Sequence, residues 1–166
     1  MKRIVADPAK CLACRACETA CAMAHVDTDD LIEAIAVHGA SPRIYIEAAG
    51  EFAVPLQCRH CDDAPCMQVC PSGALMRHSQ GGPVLADQAK CIGCQYCVQA
   101  CPFGVIRINS KQAAVIKCDL CIARRGQGLE PACVEACPVG ALRLAEMEAD
   151  AKQARARTAA QAVAAR

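Results

Sequence analysis

From Cys91 to Pro102 the chain reads C-I-G-C-Q-Y-C-V-Q-A-C-P: three cysteines at two-residue gaps, a fourth after three residues, then proline. This run constrains the fold more than any other stretch. A [4Fe–4S] cubane is compact, so one tight loop can set three thiolates on three of its irons. The fourth cysteine opens the next segment and points away from that loop. It therefore ligates a neighbouring cluster, and such runs come in pairs. The proline cannot continue a hydrogen-bond ladder, and it turns the chain after that ligand. Structural zinc sites usually draw two cysteines from each of two separated knuckles, a spacing this run does not have.

Sixteen of the 166 residues are cysteine, against two Phe, two Tyr and no Trp. So few aromatics make a poor conventional core, and something else must supply the cohesion. In a short secreted chain this cysteine content would mean disulfides. Met1 to Pro8, however, carries neither an apolar leader segment nor a cleavage site. The expectation is a reducing, cytoplasmic setting in which the thiols await metal. No run approaches the roughly 18 apolar residues of a membrane span, so no direct span is expected. A formal charge of +1 argues against a nucleic-acid surface. Each oxidised cubane with four thiolates adds about −2, so four would take the loaded protein to about −7.

The pattern recurs. Cys11, Cys14, Cys17 and Cys21 have the same gaps, with Ala22 where the proline would stand. Residues 6–11 (A-D-P-A-K-C) match residues 86–91 (A-D-Q-A-K-C) at every position but one, which is internal repetition. Cys58, Cys61, Cys66 and Cys70 form a further set, with four residues in its second gap. Cys118, Cys121, Cys133 and Cys137 form the last, with eleven residues in the middle gap, where Arg124 to Gly128 reads as an exposed basic loop. Three of the four sets close on Cys-Pro-x-Gly, at 70–73, 101–104 and 137–140. Each such exit reads as a helix-end ligand, a turn that uses glycine, and the start of a strand.

Between these sets, Leu31 to Ala36 has helical spacing after the acidic Asp27 to Asp30 cluster. Residues 43–47 and 52–56 read as a hairpin that covers a cluster and shapes a docking face. Val84-Leu85 is strand-like, and 105–108 with 114–116 form a second hairpin. From Ala145 onward the chain is Ala-rich and helix-forming, either a frayed tail or an arm on a partner. His60 sits between two ligands, where it could donate to a cluster sulfur; the simpler expectation is a loop histidine facing solvent or a partner. His25, His38 and His78 are expected to be structural or exposed, Tyr96 to pack, and Met23, Met67 and Met76 to fill gaps beside clusters.

Four such sets in this order, with the long gap in the last, resemble one family across nearly the whole chain to Leu144. It is the four-cluster, ferredoxin-type electron-transfer subunit found with dimethyl sulfoxide reductase, formate dehydrogenase, formate-linked hydrogenase and carbon monoxide dehydrogenase. Short members accompany tungsten-dependent aldehyde oxidoreductases. The matching stretches include Cys58-Arg59-His60-Cys61, Ala64-Pro65-Cys66, Lys117-Cys118-Asp119-Leu120-Cys121 and Pro131-Ala132-Cys133. The resemblance implies nested pairing, in agreement with exchange of the fourth ligand. Cys11, Cys14 and Cys17 would share a cluster with Cys137, and Cys118, Cys121 and Cys133 with Cys21. Cys58, Cys61 and Cys66 would share one with Cys101, and Cys91, Cys94 and Cys97 with Cys70.

The expected fold is therefore α+β, with two interlocked ferredoxin-like modules around four [4Fe–4S] clusters and a C-terminal helix. Residues 1–21 and 103–144 form the outer module, 22–57 an inserted cover, 58–102 the inner module, and 145–166 the tail. The expected role is electron transfer without catalysis, since all sixteen cysteines are taken and no iron is left open. No catalytic triad, phosphate loop or nucleotide fingerprint competes with this reading. The expected partners are a catalytic oxidoreductase subunit and a redox partner subunit or soluble carrier, with end-to-end self-association compatible. The catalytic partner is expected to be a tungsten or molybdenum pterin aldehyde oxidoreductase. Its alternatives are carbon monoxide dehydrogenase, hydrogenase and formate dehydrogenase. A free polyferredoxin and a multi-zinc structural protein are the rival readings.

Overall fold

The computed structural model describes residues 2–109 and 114–164. In chain order the elements are β1 (Lys2–Ala6), α1 (Ala16–Met23), α2 (Leu31–Ala36), β2 (Ile44–Ala49), β3 (Phe52–Gln57) and α3 (Pro65–Gln68). Then come β4 (Leu75–Arg77), β5 (Val84–Ala86), α4 (Tyr96–Ala100), β6 (Arg107–Asn109) and β7 (Ala114–Ile116). The last are α5 (Ile122–Gly126), α6 (Ala132–Glu135), β8 (Leu142–Glu146) and α7 (Met147–Ala164). The strands pair antiparallel two by two, as β1·β8, β2·β3, β4·β5 and β6·β7. This is a small α+β fold. Its pairing is nested at the long range: β1 and β8 bracket the whole cysteine array, with Lys2 opposite Glu146.

Two cores follow from that nesting. The first buries Ile4, Cys17, Cys21, Ile44, Ile46, Cys118, Leu120, Cys133 and Leu142. The second buries Ala64, Cys66, Leu75, Val84, Cys97, Ile106 and Val115. Each core draws on segments from distant parts of the chain. The hairpin β6·β7, expected in the outer module, sends Val115 into the second core, together with Ile106 just before it. The stretch expected as an inserted cover sends Ile44 and Ile46 of β2 into the first. The tail also begins later than expected: Ala145 is buried in β8, paired with Arg3, and the helix starts at Met147. Arg143 pairs with Asp150 across that join, and the helix beyond it is exposed.

Local chemistry explains the short elements. Asp30 caps α2 by accepting from the backbone N–H groups of Ile32 and Glu33, which anchors a helix only six residues long. Helix α4 stops at Ala100, and Cys101 is extended (φ −76°, ψ 112°), because a residue before proline is pushed out of the helical region. Helix α1 has Ala22 in the equivalent place and runs on through Cys21 to Met23. Replacing Ala22 by Pro is therefore expected to cost about 3 kcal/mol, since the ring clashes with the preceding turn and removes a helical bond. Thermal bleaching of the visible absorption of the iron-loaded protein checks this, with a lower midpoint expected in Ala22→Pro.

Candidate metal centre

All sixteen cysteines are free thiols, and every set uses the same local geometry. The residue before each second cysteine is left-handed: Ala13 (φ 56°), His60 (φ 46°), Gly93 (φ 70°) and Leu120 (φ 60°). Only one of the four is glycine, so the loop itself imposes a conformation that side chains resist. The reward is visible in two sets, where the N–H of His60 reaches Cys58 Sγ and that of Leu120 reaches Cys118 Sγ, both at 3.4 Å. The third cysteine of each set, Cys17, Cys66, Cys97 or Cys133, is the second residue of a short helix, and all four are buried. A helix N-terminus favours the thiolate form there.

The approach to one set is bonded to the exit of another. Asp7 N–H donates to Ala141 O, four residues after Cys137, at 2.8 Å. Asp87 N–H donates in the same way to Ala74 O, four residues after Cys70, also at 2.8 Å. Each aspartate then caps its own turn, Asp7 through Ala9 N–H and Asp87 through Ala89 N–H. The first set is so tied to the last, and the second to the third. At the three Cys-Pro exits, Gly73, Gly104 and Gly140 take φ between 61° and 65° and return their N–H to the cysteine carbonyl.

The cysteines meet accordingly. One enclosed, apolar-walled cavity is lined by Cys11, Cys14, Cys17 and Cys137, with Leu12, Ile46 and Leu142 among its walls. A second is lined by Cys58, Cys61, Cys66 and Cys101, with His60, Val84 and Ile106. The two cavities are alike in size and in their apolar lining. The other two quartets show in their mutual electrostatics. Burial, then Cys118, Cys21 and Cys121, push the Cys133 thiol far up; burial, then Cys70, Cys91 and Cys94, raise Cys97. Cys17 is pushed up to about 11 by burial and the neighbouring Glu18 carboxylate. Cys66 reaches about 11 through burial and the Cys58 and Cys101 thiols, against the pull of Lys117. Cys70 goes the other way, because hydrogen bonds from Leu75, Ser72 and Ala74 outweigh its slight burial.

Four sulfurs around an apolar-walled cavity are a donor set for a cation-rich cluster that takes thiolates. Further N–H groups reach them: Ala141 to Cys137 Sγ at 3.2 Å and Arg43 to Cys21 Sγ at 3.3 Å. The residues present fit [4Fe–4S] clusters.

Other residues depart from expectation. His60 is fully buried and faces neither solvent nor a partner. Tyr96 is exposed rather than packed, as is Met76, whereas Met67 packs against the second core; His38 and His78 are exposed, as expected. His25 and Asp119 make an ion pair that spacing did not reveal, because they lie 94 residues apart. His25 Nδ1 meets Cys21 O at 2.6 Å and Nε2 meets Asp119 at 3.2 Å, while Arg43 holds the other Asp119 oxygen at 2.8 Å. Both ring nitrogens face acceptors, so the imidazolium suits the site. Burial opposes that charge, but the bonds to Asp119 and Cys21 hold the pKa up at about 9. The Asp119 carboxyl is pushed the other way, far below its usual range: burial opposes this, and the bond from His25 and the Arg43 charge prevail.

A profile for the 4Fe-4S dicluster domain matches residues 50–147, and a second of the same description matches 10–75. An "Iron-sulfur protein" of Rhodospirillum rubrum is 41% identical over 133 residues, covering 72% of this chain and 67% of its own length. The "Putative electron transport protein YsaA" of Escherichia coli (strain K12) is 41% identical over 120 residues, covering 71% and 74%. The "Probable anaerobic dimethyl sulfoxide reductase chain YnfG" of the same strain is 36% identical over 139 residues, covering 75% and 63%. Two dicluster domains account for four [4Fe–4S] clusters, which sixteen cysteines fit.

The raised His25 pKa contributes stability that is complete below about pH 6.5 and is lost as pH rises towards 9. Stability of the loaded protein is expected to fall across that window, and Asp119→Asn to flatten the fall. Chemical denaturation at several pH values measures both slopes.

Proposed function

The chain belongs to the 4Fe-4S dicluster family, and on that footing we propose that it is the non-catalytic electron relay of an oxidoreductase complex. Cys11, Cys14, Cys17 and Cys137 hold one cluster, and Cys118, Cys121, Cys133 and Cys21 the next. Cys58, Cys61, Cys66 and Cys101 hold the third, and Cys91, Cys94, Cys97 and Cys70 the fourth. The observation that carries the reading is the pair of cavities, each lined by three cysteines of one set and one from its partner set. The Asp7–Ala141 and Asp87–Ala74 bonds support the same pairing from the backbone.

The clusters, when bound, accept and pass on one electron at a time. The chain's part is to fix their ligands, donate N–H groups to sulfur, exclude water and set the order. Residual charge between thiols supports a linear order. Cys133 feels Cys17, Cys118 feels Cys58, and Cys66 feels Cys97, in each case behind burial as the main effect. The line would run from the Cys11 site through the Cys118 and Cys58 sites to the Cys91 site. Leu12 and Ile92, each between the first two cysteines of an end set, are exposed at 67% and 66%, which leaves apolar contact for a partner at either end.

The name of the YnfG relative, a chain of a reductase, supports a place beside a catalytic subunit. That subunit is, in this proposal, a tungsten or molybdenum pterin aldehyde oxidoreductase, as the family resemblance of the sequence favours. Among the described residues no helix is long and apolar enough to cross a membrane; a cytoplasmic setting belongs to the proposal. The test is metal analysis of the complex isolated without oxygen through a tag on this chain. About 16 irons from this chain are expected, four for each of four clusters. Tungsten or molybdenum is expected in the co-purified subunit. Nickel would reassign the partner, a lone chain would favour a free carrier, and zinc without iron would end the electron-transfer reading. Cys137→Ala is expected to lose the Cys11 cluster and to destabilise the cluster beside Cys21. Loss of one cluster, with the rest of the spectrum unaltered, would count against interlocking.

A further inference from the structure

Among the described residues His60 and Lys117 are two of the three buried polar or charged side chains, exposed at 0% and 3%. They grip one residue, Val84, from its two sides. Val84 N–H donates to His60 Nδ1 at 3.1 Å, and Lys117 Nζ donates to Val84 O. Lys117 Nζ also donates to Cys118 O at 2.8 Å, so its ammonium lies at the seam between the two cores. An Nδ1 that accepts a hydrogen bond leaves the proton of a neutral ring on Nε2. That Nε2 is buried and has no protein partner.

A buried N–H without an acceptor calls for an explanation. His60 lines the cavity of Cys58, Cys61, Cys66 and Cys101, and the acceptors that cavity offers are sulfurs. We propose that His60 donates its Nε2–H to a sulfur of the cluster held there, and that Lys117 is the buried cation that holds the ring in place. This rests on the ligand assignment above. A donor to sulfur and a nearby positive charge both favour the more negative, reduced state. The pair therefore raises the potential of this cluster above what its thiolates alone would give. Lys117 also acts on the Cys118 site, whose backbone carbonyl it holds. His60 acts on one cluster and Lys117 on two, which gives the relay an electrostatic step at its centre.

The experiment uses the full chain, reconstituted anaerobically with iron and sulfide and labelled with ¹⁵N-histidine. His25→Gln is present throughout, to remove the other histidine near a ligand. Pulsed electron paramagnetic resonance of the reduced protein is expected to show one weak ¹⁵N coupling, absent in His60→Leu. Redox titration is expected to show one cluster shifted to lower potential in His60→Leu, with partial return in His60→Gln. In Lys117→Met two clusters are expected to shift lower, and Lys117→Arg to restore them. Should His60→Leu fail to take up iron, the coupling in the parent and the Lys117 pair still decide. A full iron complement without the coupling would overturn the proposal, as would potentials unmoved by Lys117→Met. Either leaves the relay reading standing, whereas a parent that takes up no iron ends both.

Discussion

Burying a thiolate is the constraint on which the rest of this structure depends. Cys17, Cys66, Cys97 and Cys133 occupy the places where a chain richer in aromatics would put rings. Sulfur in such places resists ionisation, and burial is the first cause at each of the four. The fold answers with backbone. It starts a helix one residue before each of these cysteines. It also twists the residue before each second cysteine into the left-handed region. That conformation is uncomfortable for Ala13, His60 and Leu120, and it persists because the loop turns N–H groups towards sulfur. The packing energy and the metal chemistry of this chain are the same interactions counted twice.

The nesting of the strands follows from the same demand. A fourth ligand that points away from its own loop can be used only if another loop is brought to it. The bonds Asp7–Ala141 and Asp87–Ala74 do this for two pairs of loops, with matching lengths and matching caps. The two cores are then joined by polar contacts. Arg3 of β1 pairs with Asp62 in the second set. Lys117 bridges from Val84 to Cys118.

Much of this was legible in the sequence because ligand spacing is rigid chemistry. Cys91 to Cys101, the repeated A-D-x-A-K-C approach and the Cys-Pro-x-Gly exits predict loops, helices and turns where they occur. The hairpins β2·β3 and β6·β7 were legible from alternation and turn residues. Their assignment to a core was not, since alternation says that a strand has a buried face and not what lies against it. The β1·β8 pairing was missed because its partners lie at opposite ends of the chain. His60 was misjudged for a physical reason: a polar residue in a short loop is usually at the surface, and only Val84 and Lys117, far away in sequence, enclose it. The partners of His25 were hidden by the same separation.

The strand pair that closes the array has a bearing on how the protein is made. Lys2 to Ala6 is synthesised long before its partner, Leu142 to Glu146. Until that partner appears the strand has no mate, and Cys11, Cys14 and Cys17 stand beside an unfinished cavity whose far wall includes Cys137. Contacts so distant in sequence form slowly, because a long loop must close before they are rewarded. The second and third sets, joined by the short β4·β5 hairpin, can close while the chain is still growing. Maturation would then proceed from the middle outwards. The Cys11 set would need protection from oxygen and from stray metal for longer than the second and third sets.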